Sequence, residues 1–183
     1  MSGRGEAAGN GPADAVWIQA VLVEYEAPLT RYARRITGDL DVARDVVQEA
    51  FLQLCRQRRS EVEDHVRPWL YRVCRQRAFD RARKQKRLRP LDVEQATAQA
   101  CPVLSPYEQL ELSDSAALVM RALGQLPDDQ QEVVRLKFQD GLKYREIADI
   151  TGHSASRVGV LIHQAVKQLR QRMRADIGCP SGE

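Results

Sequence analysis

The chain has 183 residues, with 28 Lys+Arg against 25 Asp+Glu, a formal net charge of +3, a hydrophobic share of 43% and an aromatic share of 5%. That share supports packed cores, the length fits one domain or two small ones, and only 11 Gly and 8 Pro argue against a strand-and-turn-rich β fold. Cys55, Cys74, Cys101 and Cys179 form no C-x-x-C pair, so neither a zinc ribbon nor a dense disulfide framework is signalled; the N-terminus has no secretion-signal core and no run of about 18 apolar residues is present, so a cytoplasmic protein is expected, and the composition favours an all-α fold.

Residues 1–13 read as a disordered tail. Asp14 is placed to cap a first helix carrying Val16, Trp17, Ala20, Val21 and Val23; Pro28 breaks or kinks it before Leu29 to Ile36 continue, and Gly38 ends it. Asp41 opens a second helix, where Ala43, Val46, Val47, Ala50 and Leu54 recur at helical spacing. Gln57 to His65 is polar and reads as a loop, after which Pro68 suits the first turn of a third helix running to about Lys86. These elements form a first helical domain, residues 14–87. Residues 88–107, with their prolines and Ala-Gln repeats, read as a flexible linker. A second domain, 108–175, holds helices at about Leu110–Leu123, Asp128–Gln139, Tyr144–Ile150 and Ser154–Arg174, and residues 176–183 form a tail.

Charge is segregated along this order. Arg67 to Arg89 carries ten basic residues against Asp80 alone, Pro90 to Glu132 has a net charge of −7, and Val133 to Arg174 has a net charge of +6. Two basic blocks around an acidic one suit two phosphate-facing modules on a connector that avoids phosphate; solvated helix faces are the plainer alternative.

Three segments bear on that choice. Tyr144 to His163 reads as a helix-turn-helix: Ile147, Ala148 and Ile150 pack inward, Gly152 makes the turn, and Val158, Ile162, Ala165, Val166 and Leu169 anchor the second helix so that its other side can enter a major groove. In the basic helix, at ~100° per residue, Val66, Leu70, Val73, Cys74 and Ala78 share one face and Arg72, Arg75, Gln76, Phe79, Arg83 and Arg87 the other. Phe79 among arginines, with Trp69 and Tyr71 at the helix start, suits stacking on an exposed base, although either aromatic also suits a core position. The helix before it carries a non-core stripe of Asp41, Asp45, Gln48, Glu49 and Leu52 that suits protein docking or simple dipole compensation.

Taken in order, Leu29 to Leu52, the Arg67-Pro-Trp-Leu-Tyr-Arg-Val-Cys-Arg run, the Leu126-Pro-Asp-Asp-Gln-Gln-Glu-Val-Val-Arg-Leu-Lys-Phe run and the helix-turn-helix resemble the extracytoplasmic-function (group IV) RNA polymerase sigma factors over roughly residues 20–174. The resemblance implies two all-helical domains, no catalytic residue, no metal and no cofactor. It implies docking of Asp41, Asp45, Gln48, Glu49, Phe51 and Leu52 on the clamp helices of the largest β-type subunit of bacterial RNA polymerase core, and a contact with the β flap. It assigns the −10 element to the loop Gln57 to His65 and to Trp69, Arg72, Arg75, Gln76, Arg77, Phe79, Arg83 and Lys84. It assigns the −35 element to Lys143, Tyr144, Arg145, Ser154, Ser156, Arg157, Gly159, Val160, His163 and Gln164. The other implied partners are promoter DNA and an anti-sigma factor, with the free protein a monomer.

The chain departs from the family pattern at Arg44 in the acidic stripe, at Gln76 where an asparagine is common, and along the groove side (Arg157, Gly159, Val160, Leu161, His163, Gln164), which has few basic or hydroxyl residues. Gly159 costs roughly 1 kcal/mol of helix propensity relative to Ala, which suggests a close approach to something. Two alternatives stay open: a sigma-like decoy that binds an anti-sigma protein, and a helix-turn-helix regulator acting without core polymerase. An enzyme is disfavoured, because His65, His153 and His163 lack metal-ligand spacing and no phosphate-binding glycine loop is present.

Overall fold

The computed structural model describes residues 12–88 and 114–177, which are helical with short connections and contain no strand. Most of both expected tails, the linker beyond Leu88, the proposed helix start at 110–113, Cys101 and Cys179 lie outside the described residues, whereas residues 12–13 and 176–177, expected in the tails, are helical. The chain divides into two units, residues 1–90 and 91–183.

In the first unit, α1 (Pro12–Thr37) continues through Pro28, so of the break or kink expected there the break does not occur. Proline inside a helix costs about 3 kcal/mol. Leu29, Tyr32 and Ala33 are buried directly after it, and each large apolar side chain so buried contributes about 1.5–3 kcal/mol, so packing outweighs the proline. Asp14 lies within the first turn, not ahead of it, and compensates the helix dipole there.

Gly38 turns the chain at φ +75°, and Asp39 rather than Asp41 caps α2 (Leu40–Leu54): its Oδ1 accepts from the Asp41 and Val42 backbone N–H groups at 2.8 and 2.9 Å. The expected apolar face of α2 is buried. The segment expected as a loop contains a helical turn, α3 (Arg59–Val62), and a 3₁₀ turn (Glu63–His65). Val62 is buried beneath it, while Arg59 donates to Glu63 Oε2 at 2.8 Å and lies over the Trp17 ring at 5.5 Å.

The basic segment forms α4 (Val66–Leu88), with Pro68 in the first turn, where no intrahelical donor is needed. Helices α1, α2 and α4 pack pairwise. Leu70, Cys74 and Ala78 are buried in their shared core, and Tyr71 meets Tyr32 with ring centroids 5.3 Å apart. Burial pushes the Cys74 thiol up to about 12.

In the second unit, α5 (Asp114–Gly124), α6 (Asp128–Phe138) and α7 (Tyr144–Thr151) each pack on α8 (Ala155–Ile177). Leu123, Leu126, Val134 and Ala165 form a core cluster that Met120 and Leu169 partly cover. Gln131 Nε2 donates to the Leu126 carbonyl at 2.8 Å and the Gly124 carbonyl at 3.2 Å, so it satisfies acceptors where α5 ends.

Candidate nucleic-acid interface

The helix-turn-helix is set by its two ends. Glu146 accepts from the Lys143 backbone N–H at 2.6 Å, and so closes the first turn of α7. Gly152 then takes φ +79°, the left-handed region that ends a helix without a Cβ penalty. Ser154 Oγ accepts from the Arg157 N–H at 3.1 Å and starts α8. Ile147, Ile150, Val158, Ile162 and Ala165 are buried as the periodicity predicts, with Ala148 half-buried.

This leaves the residues expected at the −35 element on the outside. Lys143, Tyr144, Arg145, Ser154, Ser156, Arg157, His163 and Gln164 are exposed, Gly159 is half-buried, and Val160 is 47% exposed. Leu161, assigned to the groove side from sequence, is only 3% exposed: it lies a helical turn from Val158 and extends the core. Within the protein nothing crowds Gly159: a Cβ there meets Tyr144 ring carbons at 3.6 and 3.9 Å, ordinary van der Waals contact. Lys137 caps the same ring at 5.4 Å and donates to the Leu142 carbonyl at 3.4 Å.

Lys167 lies beyond the end of the motif and was not among the residues singled out from sequence. It is exposed two turns beyond Val160 and shares the face of Ser156, Val160 and His163 at ~100° per residue. Other charges of the second basic block serve the fold: Arg135 is buried, and Arg172 donates to the Ala122 carbonyl at 3.3 Å.

On α4, Arg72, Gln76, Arg83 and Lys84 are exposed, and the half-buried Arg75 guanidinium lies 4.8 Å from the centroid of the half-buried Phe79 ring. Trp69 does not join them. At 8% exposure it belongs to the core, because the start of α4 is enclosed on several sides and buries Trp69, Leu70, Tyr71 and Val73 together. Arg77 faces α2, with NH1 3.6 Å from Glu49 Oε2, and Arg81 donates to the other oxygen of the same carboxylate.

The α2 stripe is divided in the same way. Asp41, Asp45 and Gln48 are exposed, and Leu52 is 54% exposed. Phe51, expected to dock, is 6% exposed and packs into the helical core beside Ala50 and Leu54. Glu49 is turned toward α4. Arg44, the basic intruder, lies 3.3 Å from Asp41 in a pair that is solvent-exposed on both sides.

Comparison with known proteins accounts for both units. The Sigma-70 region 2 model matches residues 22–88, and the Sigma-70 region 4 model matches residues 116–169. The ECF RNA polymerase sigma factor SigL of Mycobacterium tuberculosis is 32% identical over 165 residues, covering 88% of this chain and 92% of that protein. SigW of Bacillus subtilis, also an ECF sigma factor, is 26% identical over 159 residues, covering 82% and 85%. Among solved structures, the sigma factor RpoE in complex with the anti-sigma factor NepR from Bartonella quintana shares the fold, with a TM-score of 0.61 and 20% identity over 86% of this chain and 97% of that one. Region 2 on α1–α4, region 4 on the helix-turn-helix unit and the identity to SigL along both units show that the chain belongs to the extracytoplasmic-function RNA polymerase sigma factors, which are transcription initiation factors.

Proposed function

We propose that the chain binds bacterial RNA polymerase core through Asp41, Asp45, Gln48 and Leu52 of α2, reads the −35 element with α8 and holds the opened −10 strand on the outward side of α4. It performs no covalent step. Opening a duplex requires no nucleophile: binding of the single strand offsets the lost stacking, a few kcal/mol per extruded base.

The observation that carries this reading is the Arg75–Phe79 stack on α4, flanked by exposed Arg72 and Arg83. An aromatic ring beneath a guanidinium offers a base a stacking platform, and the neighbouring arginines supply phosphate contacts. Gln76 lies among them and is the residue we assign to −10 base preference. In the second unit, Arg145, Arg157 and Lys167 supply phosphate contacts. Val160 is suited to a thymine methyl group and Gln164 to the N6/N7 edge of adenine.

The work requires access to polymerase and DNA, which places it in the cytoplasm; among the described residues no helix is long and apolar enough to cross a membrane. The structural neighbour was solved with an anti-sigma factor, which supports testing such a protein as an inhibitor that competes with polymerase. The test of the α4 assignment is Arg75→Ala combined with Arg83→Ala in reconstituted holoenzyme. Open-complex formation falls more than core binding if the division of faces is right, whereas equal loss of both contradicts it.

A further inference from the structure

Glu49 and Arg77 were assigned from sequence to two different partners, polymerase and DNA, yet in the structure they bind one another. Glu49 Oε2 lies 3.6 Å from Arg77 NH1, and Oε1 accepts from Arg81 NH2. Arg77 and Arg81 are one helical turn apart on α4, so a single carboxylate from α2 engages two successive guanidinium groups. All three side chains retain solvent access, at 31% for Glu49, 48% for Arg77 and 44% for Arg81. An ion pair exposed to this degree contributes little to stability. Its main effect therefore lies in the electrostatic field over α4.

We propose that Glu49 is a positioning residue that withholds Arg77 and Arg81 from nucleic acid, so that phosphate is met by the outward side chains Arg72, Arg75, Arg83 and Lys84; Arg83 has only a longer and more exposed pair, 3.9 Å from Asp80 of its own helix. This rests on the reading of α4 as the −10 surface. The basic segment carries ten cationic residues against one acid of its own, and a helix so charged binds any duplex by counterion release, without regard to sequence. A carboxylate delivered from the neighbouring helix cancels part of that charge on one side only. It lowers indiscriminate affinity and leaves the stacking platform of Arg75 and Phe79 as the main holding site. The promoter strand is then favoured over bulk DNA because it offers an unstacked base, which the platform can use, in addition to phosphate.

The experiment measures binding of the full-length chain to a fluorescent duplex lacking promoter sequence, at salt concentrations from about 50 to 200 mM, where each phosphate engaged on duplex DNA contributes about 0.9 to the slope of log K against log salt. Glu49→Gln is expected to bind more tightly at low salt and to steepen the slope by about 1–2, an extra loss of roughly 3-fold in affinity per arginine released across that range. Adding Arg77→Gln and Arg81→Gln to Glu49→Gln is expected to return the slope to the wild-type value, whereas the same two substitutions with Glu49 intact change it little. A Glu49→Gln slope equal to or shallower than wild type overturns the proposal, as does equal sensitivity to the arginine substitutions in both backgrounds. Arg72→Gln with Arg75→Gln and Arg83→Gln serves as the control for the underlying reading. If that triple variant binds as wild type does, α4 is not the DNA surface and both claims fall; if it loses binding while Glu49→Gln has no effect, only the role of Glu49 fails. Thermal unfolding of each variant identifies any slope change that comes from lost fold.

Discussion

Replacing Gly159 with alanine tests the helix-turn-helix geometry in quantitative terms. Gly159 lies inside α8 and is absent from the positive-φ glycines, so its backbone is open to any L residue. The added Cβ meets only the Tyr144 ring, at 3.6 and 3.9 Å, which is ordinary van der Waals contact. The packing term is therefore small, and helix propensity dominates. Alanine is favoured over glycine by about 0.8–1 kcal/mol in a helix interior, which for a unit of this size corresponds to a rise of about 4–8 °C in Tm. The assay is thermal unfolding of the full-length chain, followed by the transition of the second unit. The gain is expected to persist in a Tyr144→Ala background, since it arises from backbone entropy and not from the ring. A lower Tm shows that the ring cannot accommodate the methyl group, and a gain that vanishes without Tyr144 shows that the ring contact rather than backbone entropy supplies it; either result refutes this reasoning.

Four further outcomes follow from the same structure. Asp39→Ala removes the acceptor of two backbone N–H groups at the start of α2 and is expected to cost about 0.5–2 kcal/mol in denaturant unfolding. Gly152→Ala places a Cβ at φ +79° and is expected to destabilise the second unit by about 1–2 kcal/mol, read from its thermal transition. Lys167→Ala is expected to weaken −35 duplex binding uniformly across sequences and to reduce the salt slope by about 1, whereas Gln164→Ala shifts base preference, with about 1–3 kcal/mol of discrimination lost at one position. Cys74, raised from 9.0 to about 12 by burial, remains a neutral thiol when folded and is expected to resist alkylation under conditions that label exposed Cys55. Because its folded pKa lies above the unfolded value, the contribution of Cys74 to stability is complete below pH 9 and declines as pH rises from 9 toward about 12. Alkaline unfolding midpoints of wild type and Cys74→Ala should converge over that window.

What the sequence made legible was whatever repeats at helical spacing. The apolar faces of α2 and α8 and the glycine turn at Gly152 were readable because each is determined within a few residues. The rest is decided by neighbours. Trp69 and Phe51 each sit beside a charged stripe and suit either a core or a contact position, and no periodicity reveals how many helices enclose a given turn. α3 has four residues, too few to show a period, and is held by Val62 and the Trp17 ring beyond it. Asp39 and Asp41 flank Leu40, and both suit a cap; only backbone geometry selects the first. The association of Glu49 with Arg77 and Arg81 joins residues on separate helices; the sequence had assigned Glu49 and Arg77 to separate tasks and Arg81 to none. Lys167 was within reach of sequence reasoning: extending the angular count along α8 beyond the motif boundary finds it.

Reconstituted transcription tests the sigma-factor role most directly. Purified chain is combined with bacterial core RNA polymerase and a promoter library, and the transcripts are sequenced. Initiation is expected only when the chain is present, from sites sharing a −35 and a −10 element, with Arg75→Ala and Arg83→Ala together reducing opening at those sites more than binding to the polymerase. Stable binding to core without any promoter-dependent transcript would contradict that role.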